Sequence, residues 1–138
     1  KRTYLEVHQY ANQYYSGTTM ECLPPANFDP IFTKITTWAK ENNQFLFLGE
    51  FGTAATPECL ATLNHYFELM QDPVWRGWTY WAGGRWWGAY GFALNMLAET
   101  PSPQWSILKK YFYVPMAQAA ASSKASAPKP PQPLEAAD

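Results

Sequence analysis

The sequence has 138 residues, 10 Lys and Arg against 11 Asp and Glu, a net charge of −1 and 17% aromatic residues. This length predicts one domain, and the balanced charge argues against a nucleic-acid binder, which needs a basic excess to neutralise phosphate. No apolar run reaches the ~18 residues of a membrane span, the first residues lack the apolar core of a signal peptide, and two cysteines are too few for a disulfide scaffold or a four-cysteine zinc site.

All 7 Trp, 9 Tyr and 8 Phe lie between Tyr4 and Tyr113. From Met116 the chain turns Ala-, Ser-, Lys- and Pro-rich, too poor in apolar side chains to offset its ordering entropy. The expected organisation is a folded domain over 1–115 and a linker or disordered tail over 116–138. The first predicted strand is Tyr4 to Tyr10, followed by a loop containing Cys22. A helix is predicted to open at Asn27 or Asp29, with Pro30 near its first turn, and to run to about Asn42; Ile31, Ile35, Trp38 and Ala39 follow helical spacing. Phe45 to Phe51 reads as a strand covered on both faces. The next helix has Thr56 as N-cap, Pro57 in its first position and Glu58 near its positive end, with Leu60, Leu63, Phe67 and Met70 as the buried stripe. Gly77 to Ala82 is the third strand, and a last helix near Ser102-Pro103 presents Trp105, Leu108 and Phe112. Strands alternating with helices predict βα units on a parallel sheet. Three units fall well short of an eight-stranded barrel, which takes about 250 residues.

In such sheets the functional groups gather where strands end. His8, Tyr10, Glu50 and Trp81 fall there. Side chains two apart share a strand face, which groups Glu6 with His8 and Tyr10, Leu46 with Leu48 and Glu50, and Thr79 with Trp81. This parity predicts an inner face carrying Leu46, Leu48, Thr79 and Trp81. Glu50 is the most informative residue, because a carboxylate ending Phe-Leu-Phe-Leu-Gly is expensive unless it is paired or functional. The alternative is a carboxylate that caps the neighbouring loop. His8 either orients Glu50 and binds a ligand hydroxyl or is a satisfied core histidine; Tyr10 either donates to the carboxylate or packs. His65 reads as surface or packing. Two histidines on separate elements give no metal-ligand spacing. Trp81, Trp86 and Trp87 sit in a glycine-rich stretch, and flat aromatics there suit the apolar faces of sugar rings. Trp86 and Trp87 read as binding surface, whereas Trp78 and Tyr80 read as packing against helices. Cys22 and Cys59 either pair, closing a long loop in an oxidising setting, or stay free.

Taken in order, the motifs resemble glycoside hydrolase family 5 endoglucanases (cellulases). Glu6-Val7-His8-Gln9-Tyr10, with Ser16-Gly17-Thr18 and Cys22, is similar to their sixth strand and loop. Thr36-Thr37-Trp38-Ala39-Lys40-Glu41-Asn42 and Leu48-Gly49-Glu50-Phe51-Gly52 resemble the sixth helix and seventh strand. Trp75-Arg76-Gly77-Trp78-Thr79-Tyr80-Trp81-Ala82-Gly83-Gly84-Arg85-Trp86-Trp87-Gly88 resembles the eighth strand and its loop. The resemblance implies an α/β fold, part of a (β/α)8 TIM barrel. It implies that Glu50 is the catalytic nucleophile, that His8 and Tyr10 hydrogen-bond around it and that Trp81 stacks under the sugar at the cleavage point. It further implies a Cys22–Cys59 disulfide, secretion, a β-glucan substrate and no metal or other cofactor. The family's acid/base glutamate lies in an Asn-Glu-Pro motif, which this chain does not contain. Retaining hydrolysis needs two carboxylates about 5–5.5 Å apart. Glu6 lies two residues deeper than His8, and Glu21 lies in the first loop; both are weak substitutes. Three barrel strands leave an open edge and an uncovered inner face, which predicts a homodimer or larger homo-oligomer. An endo-β-1,4-glucanase acting through Glu50 is the leading expectation. A carbohydrate-binding or structural fragment without the acid/base group is the second, and one piece of a larger enzyme with the remaining strands on another polypeptide is the third.

Overall fold

The computed structural model describes residues 3–95 and 99–112. The tail expected over 116–138 lies outside the described residues. Strands β1 (Leu5–His8), β2 (Leu46–Phe51) and β3 (Trp75–Tyr80) form one parallel sheet in the order β1-β2-β3. Helices α1 (Asp29–Glu41) and α2 (Pro57–Leu69) make the two crossovers, and a short α3 (Pro103–Leu108) packs against α2. The sheet is an arc of three βα units, open at both edges within the described residues.

Local chemistry accounts for most boundaries. Thr56 caps α2 as expected, its hydroxyl accepting from the Cys59 backbone N–H at 3.3 Å, with Pro57 in the first turn. The cap expected of α1 differs. Phe28 holds the N-cap position without a side-chain bond, because a 3-10 turn (Pro25–Phe28) runs directly into the helix. Asp29 is thereby free to reach across to α2, where its carboxylate meets His65 Nε2 at 2.5 Å while Glu68 takes Nδ1 at 2.9 Å. These two carboxylates, Asp29 first, hold the His65 imidazole charge above its ordinary pKa, against partial burial. Asn43, at φ +51, takes the left-handed turn after α1, and the Gln44 N–H closes on the Ala39 carbonyl at 2.8 Å.

The core lies between the sheet and the helices. Phe28, Phe32, Ala39, Leu46, Leu48, Phe51, Leu63, Tyr66 and Phe67 are buried there, and Trp78 and Tyr80 pack against them, as expected. Tyr66 links the layers, its ring 4.9 Å from Phe28 and 5.1 Å from Phe32. Leu46 and Leu48 therefore face the helices, and the predicted apolar inner face is corrected. The parity argument fails because β2 carries a bulge. Val7 pairs with Leu48 but His8 pairs with Glu50, so Gly49 is the extra residue. The same slip appears against β3, where Leu48 pairs with Trp78 and Phe51 with Tyr80. Leu48 and Phe51 both point into the core although three residues apart, and Glu50 turns to the opposite face.

Cys22 and Cys59 form a disulfide with Cα atoms 5.2 Å apart, tying the loop after β1 to the start of α2. That loop is closed at its neck by the Leu23 N–H donating to the Ala11 carbonyl at 2.8 Å.

Candidate active site

Glu50 stands at the C-terminal end of β2, next to the end of β1. Its Oε1 accepts from the Tyr10 phenol at 2.6 Å, and its Oε2 lies 3.7 Å from His8 Nδ1, beyond hydrogen-bond length. The backbone fixes this meeting, since the Gln9 N–H donates to the Glu50 carbonyl at 3.0 Å and extends the β1–β2 ladder past His8. The bulge is held from the other side by the Thr79 hydroxyl, which donates to the Gly49 carbonyl at 2.5 Å. The Glu6 side chain lies directly across Gly49.

Burial raises the Tyr10 phenol well above its ordinary pKa, and the hydrogen bond to Glu50 and that carboxylate's charge raise it further. Tyr10 is thus a neutral donor at any working pH. It keeps one oxygen of Glu50 bound and leaves the other with its lone pairs available. His8 Nε2 pairs with Glu6 Oε1 at 3.0 Å, so His8 stands between two carboxylates. Tyr90 lies close enough to Glu50 for the carboxylate charge to add to the effect of burial in raising its pKa. The sequence reading missed Tyr90, which no motif or strand position marks.

Trp81 follows β3 directly, its N–H donating to the Phe51 carbonyl at 2.7 Å, so it stands beside Glu50's own strand end. It is 38% exposed, and its ring meets Trp87 edge-on at 4.8 Å. Trp87 in turn packs on Tyr90 at 5.3 Å. Trp86 points away from this cluster into solvent, 94% exposed. The structure therefore brings together His8, Tyr10 and Glu50 and, on the adjacent strand end, Trp81 and Trp87. Trp86 is a separate outward platform.

No second carboxylate faces Glu50 at a strand end among the described residues. Glu6 is turned to His8. Glu21 accepts from the Thr19 hydroxyl at 2.7 Å, which lowers its pKa, the wrong direction for a group that must hold a proton to give away. No group of three or more His, Cys, Asp and Glu side chains among the described residues is placed to hold a metal ion.

The parallel βα arc thus carries a phenol-bound carboxylate at its C-terminal edge, with Trp81 on the adjacent strand end. Residues 1–85 match the family model "Cellulase (glycosyl hydrolase family 5)". The chain belongs to this family. It is 36% identical over 111 residues to endo-β-1,4-glucanase A of Emericella nidulans, covering 78% of this chain and 34% of that protein. To endo-β-1,4-glucanase B of Aspergillus niger it is 34% identical over 92 residues, covering 65% of this chain and 28% of that protein. An endo-β-1,4-glucanase of Xanthomonas axonopodis pv. citri superposes with a TM-score of 0.71 at 37% identity, over 78% of this chain and 36% of that one. XacCel5A, solved with cellopentaose, gives 0.72 at 37% identity, over 79% and 36%. The fold is thus part of a TIM barrel, and the chain spans about a third of the length of the proteins it matches.

Proposed function

We propose that this chain carries the nucleophile side of an endo-β-1,4-glucanase site acting on cellulose-type β-glucan with retention of configuration. In this reading a lone pair on Glu50 Oε2 attacks the anomeric carbon, a bond forms from that oxygen to the sugar, and the glycosidic C–O bond breaks. The leaving oxygen needs a proton from a second carboxylic acid, and water later releases the sugar from Glu50. Tyr10 holds the carboxylate by Oε1, His8 presents its ring to the sugar and the carboxylate, and Trp81 offers a stacking face, with Trp87 and Trp86 extending the aromatic surface. The observation that carries the reading is the Tyr10–Glu50 hydrogen bond of 2.6 Å at the end of β2. The Cys22–Cys59 disulfide supports a secreted protein.

A leaving group that departs without a proton tests the nucleophile apart from the acid. The chain is expected to release dinitrophenol from dinitrophenyl β-cellobioside, and Glu50→Gln to lower the rate by about a thousand-fold or more. That no second carboxylate faces Glu50 among the described residues keeps the other reading open, sugar binding without cleavage. Cellopentaose binding with no release of dinitrophenol would establish that one.

We also propose that the chain self-associates. The surface that drives association is the open β1 edge and its neighbour α1. There Leu5, Val7, Ile31, Ile35 and Trp38 line a groove of about 600 Å³.

A further inference from the structure

The loop after β1 is built around a buried asparagine. Asn12, only 2% exposed, donates from Nδ2 to the Ser16 hydroxyl at 2.8 Å and to the Thr19 hydroxyl at 3.0 Å. Its Oδ1 accepts from the Gly17 N–H at 2.9 Å, and its backbone carbonyl accepts from the Tyr15 N–H at 3.0 Å. These bonds set Gly17, at φ +68, directly against the Tyr10 ring. A methyl group there would stand 2.7 Å from Cδ1 and Cε1 and 2.8 Å from Cζ of Tyr10. Carbon atoms pack at about 3.5–4.0 Å, so either the loop or the ring would have to give way by roughly 1 Å. The loop resists the shift, because Asn12 pins it from inside, the Leu23–Ala11 bond closes its neck and the disulfide fastens its far end. The ring is held at its tip by the hydrogen bond to Glu50. A displacement of about 1 Å takes that 2.6 Å contact beyond hydrogen-bond length.

We propose that Gly17 is a positioning residue: its bare backbone, locked by Asn12, sets the Tyr10 phenol on Glu50. The proposal rests on the reading of Glu50 as nucleophile for its catalytic consequence, but its geometry can be tested separately.

The test is carbon NMR of the full chain labelled at tyrosine Cζ, with the Tyr10 resonance assigned by its loss in Tyr10→Phe. Glu50→Gln gives the position of this resonance when the carboxylate partner is gone. In Gly17→Ala the resonance is expected to move most of the way to that position. Asn12→Ala, which frees the loop without adding an atom near the ring, is expected to move it in the same direction and serves if Gly17→Ala does not fold. A lower melting temperature with the Tyr10 resonance unmoved in both variants would overturn the proposal and leave Gly17 a purely structural residue. On dinitrophenyl β-cellobioside, Gly17→Ala is expected to lower kcat about tenfold with KM little changed. A shifted resonance in a chain that never releases dinitrophenol keeps the positioning role and removes the nucleophile reading.

Discussion

The carboxylate of Glu50 has an asymmetric setting, with a phenol 2.6 Å from one oxygen and an imidazole 3.7 Å from the other. Since burial and Glu50 itself keep Tyr10 protonated, the phenol is a lasting donor to one oxygen of its partner. A hydrogen bond to a charged group contributes about 1.5–3 kcal/mol, so Tyr10→Phe is expected to cut turnover of dinitrophenyl β-cellobioside by about 10- to 100-fold. Steady-state kinetics checks this, and an unchanged rate would reduce Tyr10 to packing. The placing of Glu50, His8 and Tyr10 at neighbouring strand ends, with Tyr10 donating to the carboxylate as one reading, was legible in the sequence. How Glu50 turns from the core while Leu46 and Leu48 stay in it was not, because that depends on a bulge at Gly49 that strict alternation cannot foresee.

Between the helices, His65 joins α1 to α2 through Asp29 and Glu68. Its pKa is raised in the folded chain, so the clamp stabilises fully below the unfolded histidine pKa of about 6.5 and fades as pH rises through the raised value. The melting temperature of the parent is expected to exceed that of His65→Gln by more at pH 5.5 than at pH 9; an equal difference at both would contradict the clamp. In β2 the bulge is braced by the Thr79 hydroxyl, which donates to the Gly49 carbonyl. Element order and the Thr56 cap of α2 were legible from periodicity and capping residues. The orientation of α1 was less so. Phe32 and Ala39 face the sheet while Trp38 stays 43% exposed, since Ile31, Ile35 and Trp38 turn to the β1 edge.

The three-unit arc closes neither of its edges among the described residues, and a disulfide ties the loop after β1 to α2. A crosslink over 37 residues restricts the unfolded chain by roughly 3–4 kcal/mol, so reduction is expected to lower the melting temperature by about 10–20 °C. Association through the β1–α1 groove predicts that Trp38→Asp shifts the sedimentation profile toward monomer; a parent that is already monomeric at high concentration would contradict it. The barrel segment was legible because its motifs occur in family order, whereas the source of a second carboxylate is not, since no carboxylate among the described residues occupies that place. The central claim is that Glu50 forms a covalent bond to sugar. Its most direct test is a dinitrophenyl β-cellobioside with fluorine in place of the hydroxyl beside the anomeric carbon, which slows release of the sugar from the enzyme. Mass spectrometry of the digested chain is predicted to find one fluorocellobiosyl group on the peptide containing Glu50, absent in Glu50→Gln. An unlabelled chain that still binds cellopentaose, or a label on any other residue, would contradict the account.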